Sequence, residues 1–152
     1  MVGNRKSAGE VQAFEAAGRL HSAAVHLLRH AAQQDAHSGQ GPARLSALSV
    51  LVFVGPKTLG ELASVERVKP PTMTRVVAGL KRSGLVRMDP DPQDGRRKRI
   101  SVTAKGERLL QAARKRRIQA LTDVFSEVTA AEMSILRQAT GIMEQSLQRI
   151  RR

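Results

Sequence analysis

Acidic and basic side chains stand together in one short stretch whose chemistry is ambiguous. In PDPQDGRRKRISVT, which begins at Pro90, Asp91 and Asp94 precede four consecutive cations, Arg96 to Arg99, and Asp89 lies just before them. Three interpretations are open: a catalytic carboxylate cluster, a basic loop that binds an acidic partner, or a solvated surface loop. Prolines and cations surround the acids, and nothing on such a loop would exclude water, so a catalytic role is disfavoured.

Histidines offer a second kind of chemistry. His26 and His30 are four residues apart, a spacing that can bind a metal on one helix face. His21 and His37 fall on different turns, and the chain contains no cysteine, so no further ligand completes the set. The sequence also lacks a nucleophile elbow and a phosphate-binding loop. We therefore predict no metal, no cofactor and no enzymatic activity, with a histidine-based metal sensor kept as an alternative.

The composition indicates an acidic partner. The 152 residues carry a formal net charge of +13, and only 2% of them are aromatic. Nucleic acid is the commonest acidic partner of a basic protein, and an anionic membrane is the next. No apolar run reaches the ~18 residues of a membrane span, and the N-terminus has no hydrophobic signal region. We expect a cytoplasmic protein without a membrane partner.

Long helices are predicted at both ends of the chain. Apolar residues at helical spacing run from Glu10 to about His37, and a buried helix follows at Ala43–Val54. A capping box at Thr129–Glu132 starts the last helix. Only 41% of the residues are hydrophobic, so the chain has few apolar residues of its own to cover these stripes. This favours packing against a second chain.

The middle of the chain predicts a helix-turn-helix and then a β-hairpin. Its elements are a short helix at Leu59–Ser64, a turn at Val65–Val68, a helix from Lys69 to Ser83, strands at Val86–Asp89 and Arg99–Val102, and a long helix capped by Thr103. The predicted fold is therefore mainly α with a small β-hairpin (α+β). We place a winged helix-turn-helix at residues 56–103, flanked by a helical dimerisation region at residues 10–55 and 104–151.

The second helix of the helix-turn-helix has a polar side suited to a DNA major groove. Its apolar stripe, formed by Met73, Val76, Val77 and Leu80, is predicted to face the core. The opposite side then carries cations and small residues, namely Pro71, Arg75, Ala78 and Arg82, flanked by Thr72 and Thr74. Arginine can reach guanine with two hydrogen bonds, and threonine can meet a base edge or a phosphate oxygen. A solvated helix face is the alternative.

The middle of the chain resembles the winged-helix core of MarR-type transcriptional regulators. The resemblance covers Thr58 to Leu110 and follows the family's order and spacing. It is carried by Glu61-Leu62, by TMTR at Thr72–Arg75, by L-x-x-x-G-L-V-R at Leu80 and Gly84–Arg87, by D-x-R at Asp94 and Arg96, and by V-T-x-x-G at Val102-Thr103 and Gly106. Val102 stands where the family usually has leucine.

The resemblance assigns roles to the hairpin. It implies that Arg96 enters the DNA minor groove and that Asp94 pairs with an arginine and holds it in place. A carboxylate beside an arginine restricts its rotamers before binding, which fits that role. Arg97 and Lys98 remain open between phosphate contact and solubility.

The resemblance also implies a homodimeric repressor of double-stranded DNA that a small, often aromatic or phenolic, molecule releases. A two-fold dimer would read a near-palindromic operator. By fold analogy, His21, Arg29 and Phe53 border the ligand pocket. The absence of cysteine excludes a thiol peroxide switch. The alternatives are a non-specific architectural or RNA-binding protein and a winged helix that docks protein. The scarcity of aromatic residues disfavours binding to single-stranded RNA.

Overall fold

The computed structural model of the chain describes residues 7–91 and 94–150. Residues 92–93 of the predicted hairpin and residue 151 of the predicted last helix lie outside the described residues. The elements in chain order are α1 (Ala8–Ala32), a 3₁₀ helix (Gln33–Ser38), α2 (Pro42–Phe53), β1 (Lys57–Thr58), α3 (Leu59–Val65), α4 (Pro70–Arg82), β2 (Val86–Pro90), β3 (Lys98–Val102), α5 (Ala104–Val124) and α6 (Ala130–Ile150). The predicted class, mainly α with a small antiparallel sheet, is confirmed.

The chain forms two compact units that divide between Ala120 and Leu121. The first unit contains an apolar core, to which α2, α3, α4, the sheet and α5 all contribute. Its fully buried side chains include Leu48, Leu51, Leu62, Met73, Leu80, Leu85 and Ile100. The second unit contains the end of α5 and all of α6, and none of the described α6 residues is buried.

The sheet has one more strand than the sequence predicts. β2 and β3 pair antiparallel from Val86 opposite Val102 to Pro90 opposite Lys98, which confirms the hairpin. β1 pairs with the other edge of β3, so the strand order is β1-β3-β2. A two-residue strand has no periodicity to recognise, and its pairing depends on a partner about forty residues away.

The first helix is shorter than predicted. The helical pattern was expected to continue to His37, but α1 ends at Ala32 and a 3₁₀ helix follows. A 3₁₀ turn is common where an α-helix ends, and here Gly39, with φ of 64°, stops it in the left-handed region. The Ser38 hydroxyl donates to the Asp35 carbonyl oxygen at 2.6 Å, which closes the turn.

The start of α5 is fixed against the end of α4. The Thr103 hydroxyl accepts from the Gly106 N–H at 3.1 Å, as the predicted cap requires, and donates to the Gly84 carbonyl oxygen at 2.7 Å. Lys105 Nζ donates to the Ser83 carbonyl oxygen at 2.8 Å. A Cβ at Gly106 would collide with the Leu85 carbonyl oxygen, so only glycine permits this approach.

Candidate nucleic-acid interface

Helix α3 and the turn after it position α4. The predicted cap of α3 is present as a full capping box, in which Thr58 and Glu61 exchange hydrogen bonds. The pKa of Glu61 lies below its ordinary value of 4.5, because its carboxylate accepts hydrogen bonds from Thr58. The bond from the Thr58 backbone N–H has the larger effect, and the bond from the Thr58 hydroxyl has the smaller one. In the turn, Arg67 has a φ of 53°, an uncommon conformation for a residue with a side chain. The Ser46 hydroxyl donates to Glu66 at 3.0 Å and ties this turn to α2.

Helix α4 presents the predicted polar face to solvent. Met73, Val77 and Leu80 are buried in the core, and Val76 is partly buried. The residues predicted to face DNA are all exposed, namely Pro71, Thr72, Thr74, Arg75, Ala78 and Arg82. The face therefore consists of cations, small residues and hydroxyls, with no acidic residue in the first turn of the helix.

The first turn of α4 offers few free backbone donors. Pro70 and Pro71 have no N–H, and the N–H groups of Thr72 and Met73 both donate to the Lys69 carbonyl oxygen. The Thr74 hydroxyl donates to the Pro70 carbonyl oxygen at 2.9 Å, so its single hydrogen is already used. An anion at this end of the helix therefore has to be bound mainly by side chains.

Each of the three carboxylates of the opening stretch faces an arginine. Asp89 pairs with Arg87 at 3.0 Å, Asp94 with Arg97 at 3.2 Å, and Asp91 with Arg99 at 3.5 Å. The pairs lie on one exposed hairpin rather than around a shared cleft. Asp89 and Asp94 are about half exposed, whereas the side chain of Asp91 is only 9% exposed and is held against Arg99. Each acid thus holds a cation, as was expected of Asp94.

The hairpin tip separates its cations into two groups. Arg96, Arg97 and Lys98 are exposed, whereas Arg99 is partly buried and also donates to the Pro56 carbonyl oxygen at 3.4 Å. Asp94 contacts both tip arginines, since its Oδ1 accepts from the Arg96 backbone N–H at 3.1 Å and its Oδ2 pairs with the Arg97 side chain. Three cations thus point outward, and the fourth anchors the base of the hairpin.

A cavity lies between α2 and α5. It has a volume of about 440 Å³ and combines apolar walls with hydroxyl and guanidinium groups, being lined by Pro42, Leu45, Ser46, Ser49, Phe53, Leu110, Ala113, Arg114 and Arg117. Phe53, which was predicted to border a ligand pocket, lines this cavity. His21 and Arg29 lie on exposed positions of α1 and do not line it.

A buried ion pair joins the 3₁₀ helix to α5. Asp35 is a buried charged residue, with a side chain that is 8% exposed. Arg117 donates to both of its carboxylate oxygens, at 2.7 and 2.5 Å. The hydrogen bonds that Arg117 donates to the Asp35 carboxylate raise the pKa of Arg117 above its ordinary value. Arg117 therefore serves both this ion pair and the cavity wall.

Two helices carry exposed apolar side chains. On α1, Phe14 is 73% exposed and Leu28 is 70% exposed, and on α6, Ile142 is 65% exposed.

His26 and His30 are exposed on α1, and no group of three metal-ligating side chains occurs within residues 7–91 and 94–150. Across the same residues, no helix is long and apolar enough to cross a membrane.

Comparison with known proteins identifies relatives along most of the chain. A family model described as MarR family matches residues 42–98. An HTH-type transcriptional regulator of Mycobacterium bovis is 39% identical over 127 residues, which make up 84% of this chain and 89% of that protein. The crystal structure of the transcriptional regulator Tm0710 from Thermotoga maritima has a TM-score of 0.76 at 27% identity, covering 90% of this chain and 98% of its own.

A DNA-bound structure has the same fold. A MepR variant of S. aureus bound to an oligodeoxyribonucleotide has a TM-score of 0.67 at 20% identity and covers 86% of this chain and 96% of its own. The two solved structures therefore have the fold of this chain over most of their length.

Proposed function

Since this chain belongs to the MarR family of DNA-binding transcriptional regulators, we propose that it is a homodimeric, sequence-specific repressor that acts in the cytoplasm and is released from its operator by a small molecule. The exposed face of α4, with its cations and small residues beside a basic hairpin tip, carries this proposal. The relatives are transcriptional regulators rather than enzymes, and the paired carboxylates of the hairpin fit a binding role.

On α4, each exposed side chain is assigned the contact that its chemistry allows. Arg75 donates two hydrogen bonds to guanine O6 and N7, and Thr72 meets a base edge or a thymine methyl group. Pro71 and Ala78 let the helix approach the groove floor, and Arg82 contacts a phosphate. Thr74 reaches a phosphate only if its hydroxyl exchanges the Pro70 carbonyl oxygen for it.

At the hairpin tip, the three exposed cations meet the minor groove and its phosphates. Arg96 enters the groove, where the negative potential attracts a guanidinium. Asp94 orders the tip through the Arg96 N–H and the Arg97 side chain, so Arg97 is the arginine whose side chain it restrains. Arg97 and Lys98 contribute to phosphate contact.

Binding of two duplexes as a function of salt tests the proposed function. One duplex is taken from the region upstream of the protein's own gene, and the other is a random sequence of equal length. The upstream duplex should bind about 10³-fold or more tightly, and its affinity should fall steeply as salt rises. Equal affinity for both would favour a non-specific architectural protein. No affinity for either at moderate salt would favour a protein-docking module.

Arg96→Ala tests the wing. Loss of a groove cation should weaken binding to both duplexes by a similar factor and reduce the slope of log affinity against log salt by about one for each copy. Lys115→Ala removes one exposed positive charge from α5 and is the matched control. If Arg96→Ala and Lys115→Ala bind alike, the wing assignment is wrong.

The exposed apolar residues of α1 and α6 are proposed to pack against a second copy. Such side chains gain about 25 cal/mol per Å² when they leave water. The two α4 helices would then enter successive major grooves about 10 base pairs apart, on a near-palindromic operator. In sedimentation, Leu28→Asp and Ile142→Asp should shift dimer toward monomer, whereas Gln12→Asp, at an exposed polar position of α1, should not. A monomeric wild-type chain would contradict the dimer.

The cavity between α2 and α5 is proposed as the inducer site. Its apolar walls suit a small aromatic or phenolic molecule, and Arg114 suits an acidic substituent, whereas the Arg117 guanidinium is already paired with Asp35. A panel of benzoates and phenols should release wild-type protein from the upstream duplex. Ser49→Trp, which fills the cavity, should bind the duplex but resist release. Release that is unchanged in Ser49→Trp would place the inducer elsewhere.

A further inference from the structure

The guanidinium of Arg44 lies directly on helix α4. A Cβ built at Gly79 would come within 2.5 Å of both Nε and one terminal nitrogen of Arg44. Gly79 is buried beneath this side chain although it belongs to an otherwise exposed edge of the helix. The other end of the fork donates to the Gln40 amide oxygen at 3.3 Å. The position of the Arg44 guanidinium is therefore defined, and it depends on residue 79 being a glycine, which has no side chain.

Arg44 sits beside the residues proposed to contact DNA. Gly79 lies one helical turn after Arg75 and two turns after Thr72, so these three positions follow one edge of α4. Arg75 and Arg44 line the same shallow groove between the start of α2 and α4, together with Gly41, Pro42, Ala43 and Val76. When the exposed face of a helix enters a major groove, its edges face the phosphates of the groove walls.

The charge of Arg44 is not neutralised within the described residues. None of the ion pairs formed by these residues involves Arg44. An arginine that pairs with a carboxylate has its charge neutralised and its fork fixed, whereas Arg44 keeps a positive charge that a phosphate can bind.

We propose that Arg44 is a further DNA contact, a phosphate-binding guanidinium that α2 supplies to the edge of α4 at the position that Gly79 leaves open. This proposal rests on the proposed DNA binding and extends it to a residue outside the helix-turn-helix and the wing. The alternative is that Arg44 only covers the α4 backbone. A glycine within a helix is unfavourable, so its presence here is explained if it accommodates a functional side chain.

Three variants distinguish a DNA contact from a structural cover. Arg44→Ala removes the cation. Gly79→Ala improves helix propensity but displaces the guanidinium, whose flexible end can move away cheaply. The double variant Arg44→Ala with Gly79→Lys removes the arginine and places a cation on α4 itself. Lys115→Ala is the control for loss of one exposed positive charge. Binding to the upstream and random duplexes is measured across salt concentrations, and thermal midpoints are recorded for each protein.

The expected results concern affinity and salt dependence together. Arg44→Ala should bind both duplexes about tenfold more weakly, with a salt slope reduced by about one for each copy. Gly79→Ala should bind several-fold more weakly with an unchanged or higher thermal midpoint. The double variant should recover affinity and slope to within about threefold of wild type, because a cation again faces the phosphate.

Three outcomes would overturn the inference, and each identifies a different failure. If the wild-type protein binds neither duplex, the proposed function fails and this contact fails with it. If the wild type binds and Arg44→Ala keeps the affinity and salt slope of Lys115→Ala, DNA binding stands and Arg44 is not a contact. A double variant that stays as weak as Arg44→Ala would assign the residue a structural role alone.

Discussion

Arg75→Ala is expected to weaken operator binding by about 2–6 kcal/mol, because a dimer loses one bidentate base contact of roughly 1–3 kcal/mol in each half-site. Arg75 is exposed on α4 and lies on the same side as Ala78 and Arg82, opposite the buried Met73 and Val77. The loss is large because guanine discrimination depends on a fork of two donors that no neighbouring side chain replaces.

The measurement compares upstream and random duplexes, and then single-base variants of the upstream site. Arg75→Ala should lose affinity for the upstream duplex far more than for the random one, and one base pair in each half-site should no longer matter. Arg75→Lys is the matched control, since it keeps the charge but lacks the fork. Equal losses on both duplexes would make Arg75 a phosphate contact instead of a base reader.

Arg117→Met is expected to destabilise the first unit by about 2–4 kcal/mol. It leaves the Asp35 carboxylate, whose side chain is 8% exposed, without its partner. Breaking a buried ion pair from one side typically costs about 3–5 kcal/mol, and the loss is smaller here because water reaches the half-exposed arginine. The thermal midpoint should fall by roughly 10 °C.

A double-mutant cycle measures this effect in denaturant or thermal unfolding. Asp35→Leu with Arg117→Met removes both charges and should recover much of the lost stability, since no unpaired charge remains. Arg114→Met removes an exposed arginine from the same helix and should change stability by no more than about 0.5 kcal/mol. Simple additivity of the two single losses would show that the ion pair does not act as a unit.

Local features of the sequence predict most of the fold. The stripes of α4, the caps at Thr58, Thr103 and Thr129, and the β2–β3 hairpin all depend on residues a few positions apart, and the structure contains each of them. Helical periodicity and capping chemistry are local, so a single sequence is sufficient for them.

The features that the sequence did not predict depend on distant partners. Asp35 lies in what was expected to be helix, and nothing near it in the sequence indicates Arg117, 82 residues away. Arg44 and Gly79 are likewise brought together only by the fold. A glycine inside a predicted helix was the available signal, because helices disfavour it unless close packing requires it. The pairing of Asp94 with an arginine was predicted, but that this arginine is Arg97 follows only from the geometry of the tip.

The close packing of Gly106 against the Leu85 carbonyl oxygen has a mechanical consequence. This contact, together with the hydrogen bonds donated by Thr103 and Lys105, holds the first turn of α5 tightly against the junction of α4 with β2. Leu110 and Ala113, one to two turns further along α5, line the cavity. A tightly packed interior transmits strain instead of absorbing it. A displacement of α5 at the cavity is therefore expected to reach helix α4 and the β2–β3 hairpin, the two elements proposed to contact DNA.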